Sequence, residues 1–194
     1  ESNLAAADQA TDTPTNNFCV MNPLDNYLAG ATFSEGNCKI ATSSSPMAYV
    51  TGTFGLTAGL WYFEEELDVS TAPAHDVIGI AESSPLDAAN FLGEEASQYS
   101  YYSYNGKSTT NNTQTTYGDT YTANDVIGVY LDLTANKIYW AKNGTVQNSG
   151  TGVSITAIAS TTSGFYLPAF ADWATGAGST YKANFGGCSA FTVS

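Results

Sequence analysis

Along much of this chain, apolar residues recur at every second position. Ile127, Val129, Leu131 and Leu133 fall on one face, and Ile138 and Trp140 resume the pattern after Thr134-Ala135-Asn136. Alternation at period two marks a strand with one buried face, and a short polar gap between two such runs marks a hairpin. The same reading predicts strands over 18–22, 37–42, 48–54, 60–67, 77–82, 98–104, 126–133, 137–142, 165–171 and 181–185. Turn clusters separate them: Asn22-Pro23, Ser34-Glu35-Gly36-Asn37, Asn105-Gly106, Gly118-Asp119, Asn143-Gly144 and Gly176-Ala177-Gly178. Many short strands without a strong amphipathic helix predict an all-β, antiparallel sandwich or barrel. Residues 87–96, DAANFLGEEA, read as a short helical turn or an ordered loop.

Composition adds limits. Residues 1–17 lack aromatics and periodicity and read as a linker, so the expected domain is 18–194. The chain has 194 residues, enough for one domain with a real core. It begins at Glu1 and ends after Phe-Thr-Val-Ser, which reads as an excerpt of a longer chain. Acids number 18 against five lysines and no arginine, for a net charge of −13. That balance argues against nucleic acid and anionic membrane as partners, because both need a basic face. No apolar run is long enough for a membrane span, so no insertion is expected.

The three cysteines, Cys19, Cys38 and Cys188, match no zinc spacing. One disulfide with a leftover thiol and three reduced thiols both stand open. If a bond forms, Cys19–Cys38 closes the shortest loop. The strings Asp76-Val77-Ile78-Gly79 and Asp125-Val126-Ile127-Gly128 agree in four residues only, and read as two buried strands that converge by chance rather than a repeat.

Seven pieces in order resemble the SPRY domain. They are Gly59-Leu60-Trp61-Tyr62-Phe63-Glu64, Ile78-Gly79-Ile80, Asp125-Val126-Ile127-Gly128-Val129, Leu131-Asp132, Lys142-Asn143-Gly144, Tyr166-Leu167-Pro168-Ala169 and Asn184-Phe185-Gly186. The front end, DTPTNNFCVMNPLDN followed by GTFGLTAGLWYFE, is similar to SPRY-type modules in large virion and tail-associated proteins of marine bacteriophages. The resemblance implies a two-sheet, concanavalin-like jelly-roll sandwich whose loops bind a partner, with no general catalytic centre. One position departs: where that family usually has an apolar valine, this chain has Glu65. A buried unpaired carboxylate is costly and tends to stay protonated. Either a polar partner or a bulge is expected there.

Candidate chemistry lies mostly in loops. Residues 98–116, QYSYYSYNGKSTTNNTQTT, hold Tyr99, Tyr102, Tyr104, Asn105, Asn111 and Asn112. Tyrosine beside Ser, Asn and Gly is a composition that binding loops use, and sugar rings stack on aromatic faces. The bland alternative is a strand with Tyr101 in the core. Trp173 in Asp172-Trp173-Ala174 is either a ligand platform or a loop anchor. Glu64 and Glu66, two apart on one strand face, are the one arrangement suited to glycoside hydrolysis. Against that stands a structural Glu64 followed by solvent-facing acids. His75, the single histidine, reads as an exposed loop residue. No cofactor is expected. Glu82, Asp87, Glu94 and Glu95 around one loop make calcium the one candidate ion.

The expected function is a non-enzymatic binding or structural module of a phage virion protein, located on the virion or outside the cell. Its expected partners are a cell-surface glycan or protein, or other virion subunits. A homo-oligomer suits a fibre-borne module, although no heptad stretch encodes one. The alternatives are a cellular SPRY protein-interaction domain and a concanavalin-like glycan hydrolase.

Overall fold

In the computed structural model, the structure describes residues 17–26, 31–42, 49–70, 74–83, 90–173 and 178–187. The linker 1–16, Asp87 and Cys188 lie outside these. In chain order the strands are β1 (Met21–Asn26), β2 (Thr32–Ser34), β3 (Lys39–Ala41), β4 (Tyr49–Gly52), β5 (Leu60–Val69), β6 (Asp76–Ala81), β7 (Gln98–Tyr102) and β8 (Lys107–Thr110). They continue with β9 (Thr113–Thr116), β10 (Val126–Asp132), β11 (Lys137–Lys142), β12 (Thr145–Val146), β13 (Val153–Ser154), β14 (Leu167–Asp172) and β15 (Thr180–Asn184). One antiparallel sheet has the order β1-β4-β14-β6-β7-β8-β9; the other is β12-β11-β10-β5-β15-β3-β2, with β13 beside β11. Together they form the expected sandwich.

Every predicted strand has a counterpart, shifted at its ends. The hairpin that the alternation marks is real: β10 pairs with β11 from Ile127–Lys142 to Asp132–Lys137. Its turn closes because the Asp132 carboxylate accepts the Thr134 and Ala135 N–H groups at 2.9 and 2.8 Å. Ile127, Val129, Leu131, Ile138 and Trp140 then enter the space between the sheets, where they meet Ile78, Ile80, Tyr101, Tyr166 and Phe170. A second, smaller cluster of Tyr49, Val77, Ala81, Leu92, Tyr102, Ala169 and Ala171 forms on the outer face of the first sheet, with Trp173 packed on it.

The β11–β12 turn illustrates pure backbone demand. Asn143 and Gly144 have φ of 48° and 77°, as a two-residue hairpin of this hand requires. A Cβ on Gly144 meets no heavy atom within 4 Å. Gly144→Ala should therefore cost only the left-handed strain, about 1 kcal/mol, read as a fall in Tm of roughly 2–4 °C. An unchanged Tm would show that the turn relaxes to another form.

Two expectations are corrected. Cys19 and Cys38 are both buried thiols, not joined to each other. The reason is direction: Cys19 Sγ turns toward β4, where it sits 4.0 Å from Thr53 Oγ1 and where a Cβ on Gly52 would stand 2.9 Å from it. Burial pushes the Cys19 thiol up, against opposing hydrogen bonds from Phe54 and Thr53. Second, β8 and β9 occupy what reads as a binding loop. Asn111 and Asn112, with φ of 48° and 54°, make a tight hairpin between two threonine-rich arms. The Asn-Asn pair flanked by β-branched residues is the signal that finds it. Of the 87–96 segment, residues 90–96 form an ordered loop of turns, with Leu92 fully buried.

Candidate functional site

Strand parity divides the tyrosine-rich segment. On β7, Tyr99 and Tyr101 enter the inter-sheet core, while Tyr102 takes the outer face. Tyr99 accepts the Thr156 N–H at 2.9 Å and packs edge-on against Tyr166, so it is structural. Tyr102 is also buried, but it lies in an aromatic cluster that reaches the surface. Its ring is 4.5 Å from Trp173, and Trp173 meets Phe91 edge-on at 5.2 Å. Tyr102 shares a hydrogen bond with His75 Nδ1, and the His75 ring stacks on Tyr104 at 5.0 Å with planes 9° apart. Burial, then Tyr104, Asp172 and Asp76, push the Tyr102 phenol up to about 12. His75 is thus a half-buried member of the cluster, not a bare loop residue. Tyr104 is its outer face, 53% exposed.

Beside the cluster lies an open groove of about 360 Å³, lined by Phe91, Thr109, Asn112, Gln114 and Trp173. Two atoms of the lining residues, Trp173 Nε1 and Thr109 Oγ1, are buried and have no hydrogen-bond partner among the described residues. The groove walls are held in place. At the hairpin tip, Asn111 N and Asn112 N donate to Glu95 O at 3.1 Å and Gly93 O at 2.9 Å. Asn105 donates to Gln114 at 3.0 Å and accepts the Lys107 N–H at 3.0 Å. Gln98 Oε1 gathers the N–H groups of Gly93 and Glu94 from below. The structure therefore brings together Tyr102, Tyr104, Asn105, Asn112 and Trp173, places Asn111 at the adjoining tip, and takes Tyr99 away. Trp173 is both anchor and lining. Phe91, Thr109 and Gln114 escape the sequence reading, because only the β8–β9 hairpin sets them opposite Trp173.

The other candidates disperse. Glu64 is buried on the outer face of the second sheet, where Tyr62 donates to it at 2.5 Å and Asn184 at 3.1 Å. Glu66 pairs with Lys182 at 3.4 Å. Both carboxylates are engaged structurally and neither lines the groove. Glu82 accepts the Thr162 N–H and Glu94 accepts from Asn90. Among the described residues no three His, Cys, Asp or Glu groups stand as a metal site, and no helix is long and apolar enough to cross a membrane.

Glu65 resolves differently from either expectation. The β10–β5 register runs through it without a bulge. It points between the sheets, 1% exposed, and neither carboxyl oxygen has a partner among the described residues. Burial first, then Asp76 and Asp172, hold its carboxyl well above the usual range.

The SPRY domain family matches residues 60–187. The chain belongs to the SPRY family. Domains of this family are generally non-catalytic modules for protein interaction. The crystal structure of the SPRY domain of human HERC1 shares the fold, with a TM-score of 0.66 at 17% identity, over 86% of this chain and 98% of that one. In this SPRY domain the matched region carries both sheets' central strands and every residue that lines the groove.

Proposed function

We propose that this SPRY domain is a non-catalytic binding module that holds its ligand in the groove between the β8–β9 hairpin and Trp173. The observation that carries the reading is the pair of buried, unpartnered atoms Trp173 Nε1 and Thr109 Oγ1. Such atoms are costly unless something satisfies them, and here they sit just behind the wall of an open groove that their residues line. The rest of the lining is aromatic faces and the neutral amides of Asn112 and Gln114. A few placed polar groups among aromatic rings are the usual make-up of a ligand site. The absence of a charged lining residue favours a neutral ligand, and a glycan fits best.

In its wider setting, we place the module in a phage virion protein, outside the cell, adhering to host surface or decorating the particle. The similarity of its front end to virion-protein modules and its acidic, arginine-free composition support this. A second reading, a cellular protein-interaction domain, is compatible with family membership, which does not set it above the first.

One experiment separates them. The purified domain and its Tyr104→Ala and Gln114→Ala variants are compared on a neutral-glycan array and against purified virion subunits. The expected result is glycan binding that falls about tenfold or more in Tyr104→Ala. Its Tm should be nearly unchanged, because Tyr104 is largely exposed. If no glycan binds, but a polypeptide does and Tyr104→Ala weakens it, the protein-interaction reading replaces this one. Binding that ignores both substitutions removes the groove as the site.

A further inference from the structure

At the strand ends next to Trp173, the sandwich interior holds three carboxyl groups and, among the described residues, no cation. Parity places them. Asp76 shares the inward face of β6 with Ile78 and Ile80, and Asp172 shares that of β14 with Phe170. Glu65 faces them from β5 in the opposite sheet. The two aspartates are cross-strand partners at the ends of β6 and β14. Like charges directly opposite destabilise a strand pair, and in a low-dielectric interior the effect is amplified.

The surroundings offer little relief. Asp172 accepts from Thr42 Oγ1 at 2.6 Å and from Ser179 N at 3.2 Å. Among the described residues, the oxygens of Glu65 and Asp76, Ser179 Oγ and Tyr181 Oη are buried without a hydrogen-bond partner of ordinary geometry, although the Ser179 and Ser70 hydroxyls stand near enough to Asp76 to ease its burial. The titratable groups facing the trio are phenols: Tyr181 from β15 and Tyr121 from the segment before β10, with Tyr102 on the opposite face of β7 still near enough to feel Asp172 and Asp76. Lys39 and Lys182 are engaged on Glu35, Glu66 and Asp68, and Lys142 on Asp125. Burial favours the neutral, protonated forms of Glu65 and Asp76, which relieves the crowding of charge around Asp172.

The same strand ends carry the groove. Trp173 follows Asp172 and His75 precedes Asp76, and Trp173 N donates to His75 O at 2.8 Å. The Asp76 carbonyl accepts from Ser103 N at 2.9 Å and Tyr121 Oη at 3.1 Å, which ties in the chain leading to Tyr104. We propose that Glu65 and Asp76, set against Asp172, form a proton-operated catch: with Glu65 and Asp76 protonated, it keeps the ends of β6 and β14 joined beneath Trp173 and His75, and with them ionised, it parts the strand ends and opens the groove. The catch rests on the binding reading only in that the groove is the part it controls.

The direction follows from the burial. Asp76 is pushed up to about 8 by burial, then by Asp172, with the nearby Ser179 and Ser70 hydroxyls offsetting part of it. A carboxyl raised above its unfolded value contributes stability that is complete below that value and is lost as pH rises through the folded one. The window for Asp76 therefore runs from 3.8 to about 8.

Amide hydrogen exchange tests the catch without any ligand, so a failure of the binding reading leaves the result legible. Exchange at the Trp173 and Ser103 amides, corrected for intrinsic rate, is compared with the β10–β11 hairpin amides at pH 6 and pH 9. The expected result is a rise of about tenfold or more at the groove amides, with the hairpin unchanged. Glu65→Gln and Asp76→Asn mimic the protonated forms, keep the shape, and should each abolish the rise; either one that folds suffices. No rise in the unaltered domain, a rise retained in both variants, or an equal rise in the hairpin overturns the proposal.

Discussion

Replacing Glu65 by valine should stabilise the domain, a rare sign for a core substitution. Glu65 is fully enclosed, lies on an unbroken strand, and has two unpartnered oxygens. In the folded state its carboxyl keeps its proton well above 4.5, while in the unfolded chain it ionises there. Each pH unit above that value, until the folded group itself ionises, removes about 1.4 kcal/mol from the stability of the unaltered domain. Valine is close to glutamate in volume and suits a strand, so neither a large cavity nor overpacking opposes the gain. Exchanging buried ionisable groups for apolar ones of like volume stabilises other proteins by about 1–4 kcal/mol. A gain of about 2–4 kcal/mol at pH 7.5 is expected, or a Tm higher by roughly 5–10 °C. The gain should be larger at pH 7.5 than at pH 5.5. Urea unfolding at the two pH values checks both statements. An equal gain at each pH would mean that glutamate was merely a poor fit, and a loss would mean that an unseen partner satisfies it.

Gly79→Ala should have the largest opposite effect. Gly79 sits in the middle of β6 between Ser100 of β7 and Ala169 of β14. A Cβ there would stand 1.8 Å from the Tyr99 carbonyl oxygen and 2.8 Å from Ser100 Cα. Both are backbone atoms, so no side-chain rotation relieves the clash and β7 must move away from β6. We expect a cost of about 3 kcal/mol, the upper end for overpacking, and a Tm lower by roughly 6–12 °C. Ligand binding should weaken as well, because β7 carries Tyr102 and leads to Tyr104. Thermal unfolding measures the first part and titration the second. A stable Gly79→Ala domain with intact binding would falsify the close β6–β7 packing on which the groove depends.

Much of the fold was legible in the chain. Period-two alternation locates the central strands because each has one face in the core, and burial leaves its mark on every second residue. The β10–β11 hairpin is the clearest case: alternation and the polar gap Thr134-Ala135-Asn136 agree, and Asn143-Gly144 marks the next turn, after β11. Edge strands were harder. β8 and β9 carry Thr, Gln and Ser on both faces, so no alternation marks them, and the Asn111-Asn112 turn is the one signal they leave. The groove was half legible for the same reason. Its tyrosines and Trp173 stand out by type, whereas Thr109 and Gln114 are ordinary residues until β9 folds back.

The two Asp-Val-Ile-Gly strings show where sequence stops. In both, the isoleucine enters the core, as periodicity dictates. The aspartates part company. Asp125 stands just before β10 near the surface, where its partial burial is outweighed by the Thr122 N–H, Asn143 and Lys142, which lower its carboxyl. Asp76 begins β6 opposite Asp172 and beneath Glu65, where burial raises it. The glycines differ too: Gly128 lies under the Tyr62 ring, and Gly79 lies against the backbone of β7. By itself, then, the sequence determined which stretches are strands and which face of each is apolar, because these follow from local periodicity and turn chemistry; the order of its seven motifs carried the resemblance to the family. Which acids share an interior, and which aromatics share a groove, was decided by the tertiary structure. Those neighbours come from strands far apart in the chain, and pKa shifts and binding surfaces depend on distance in space.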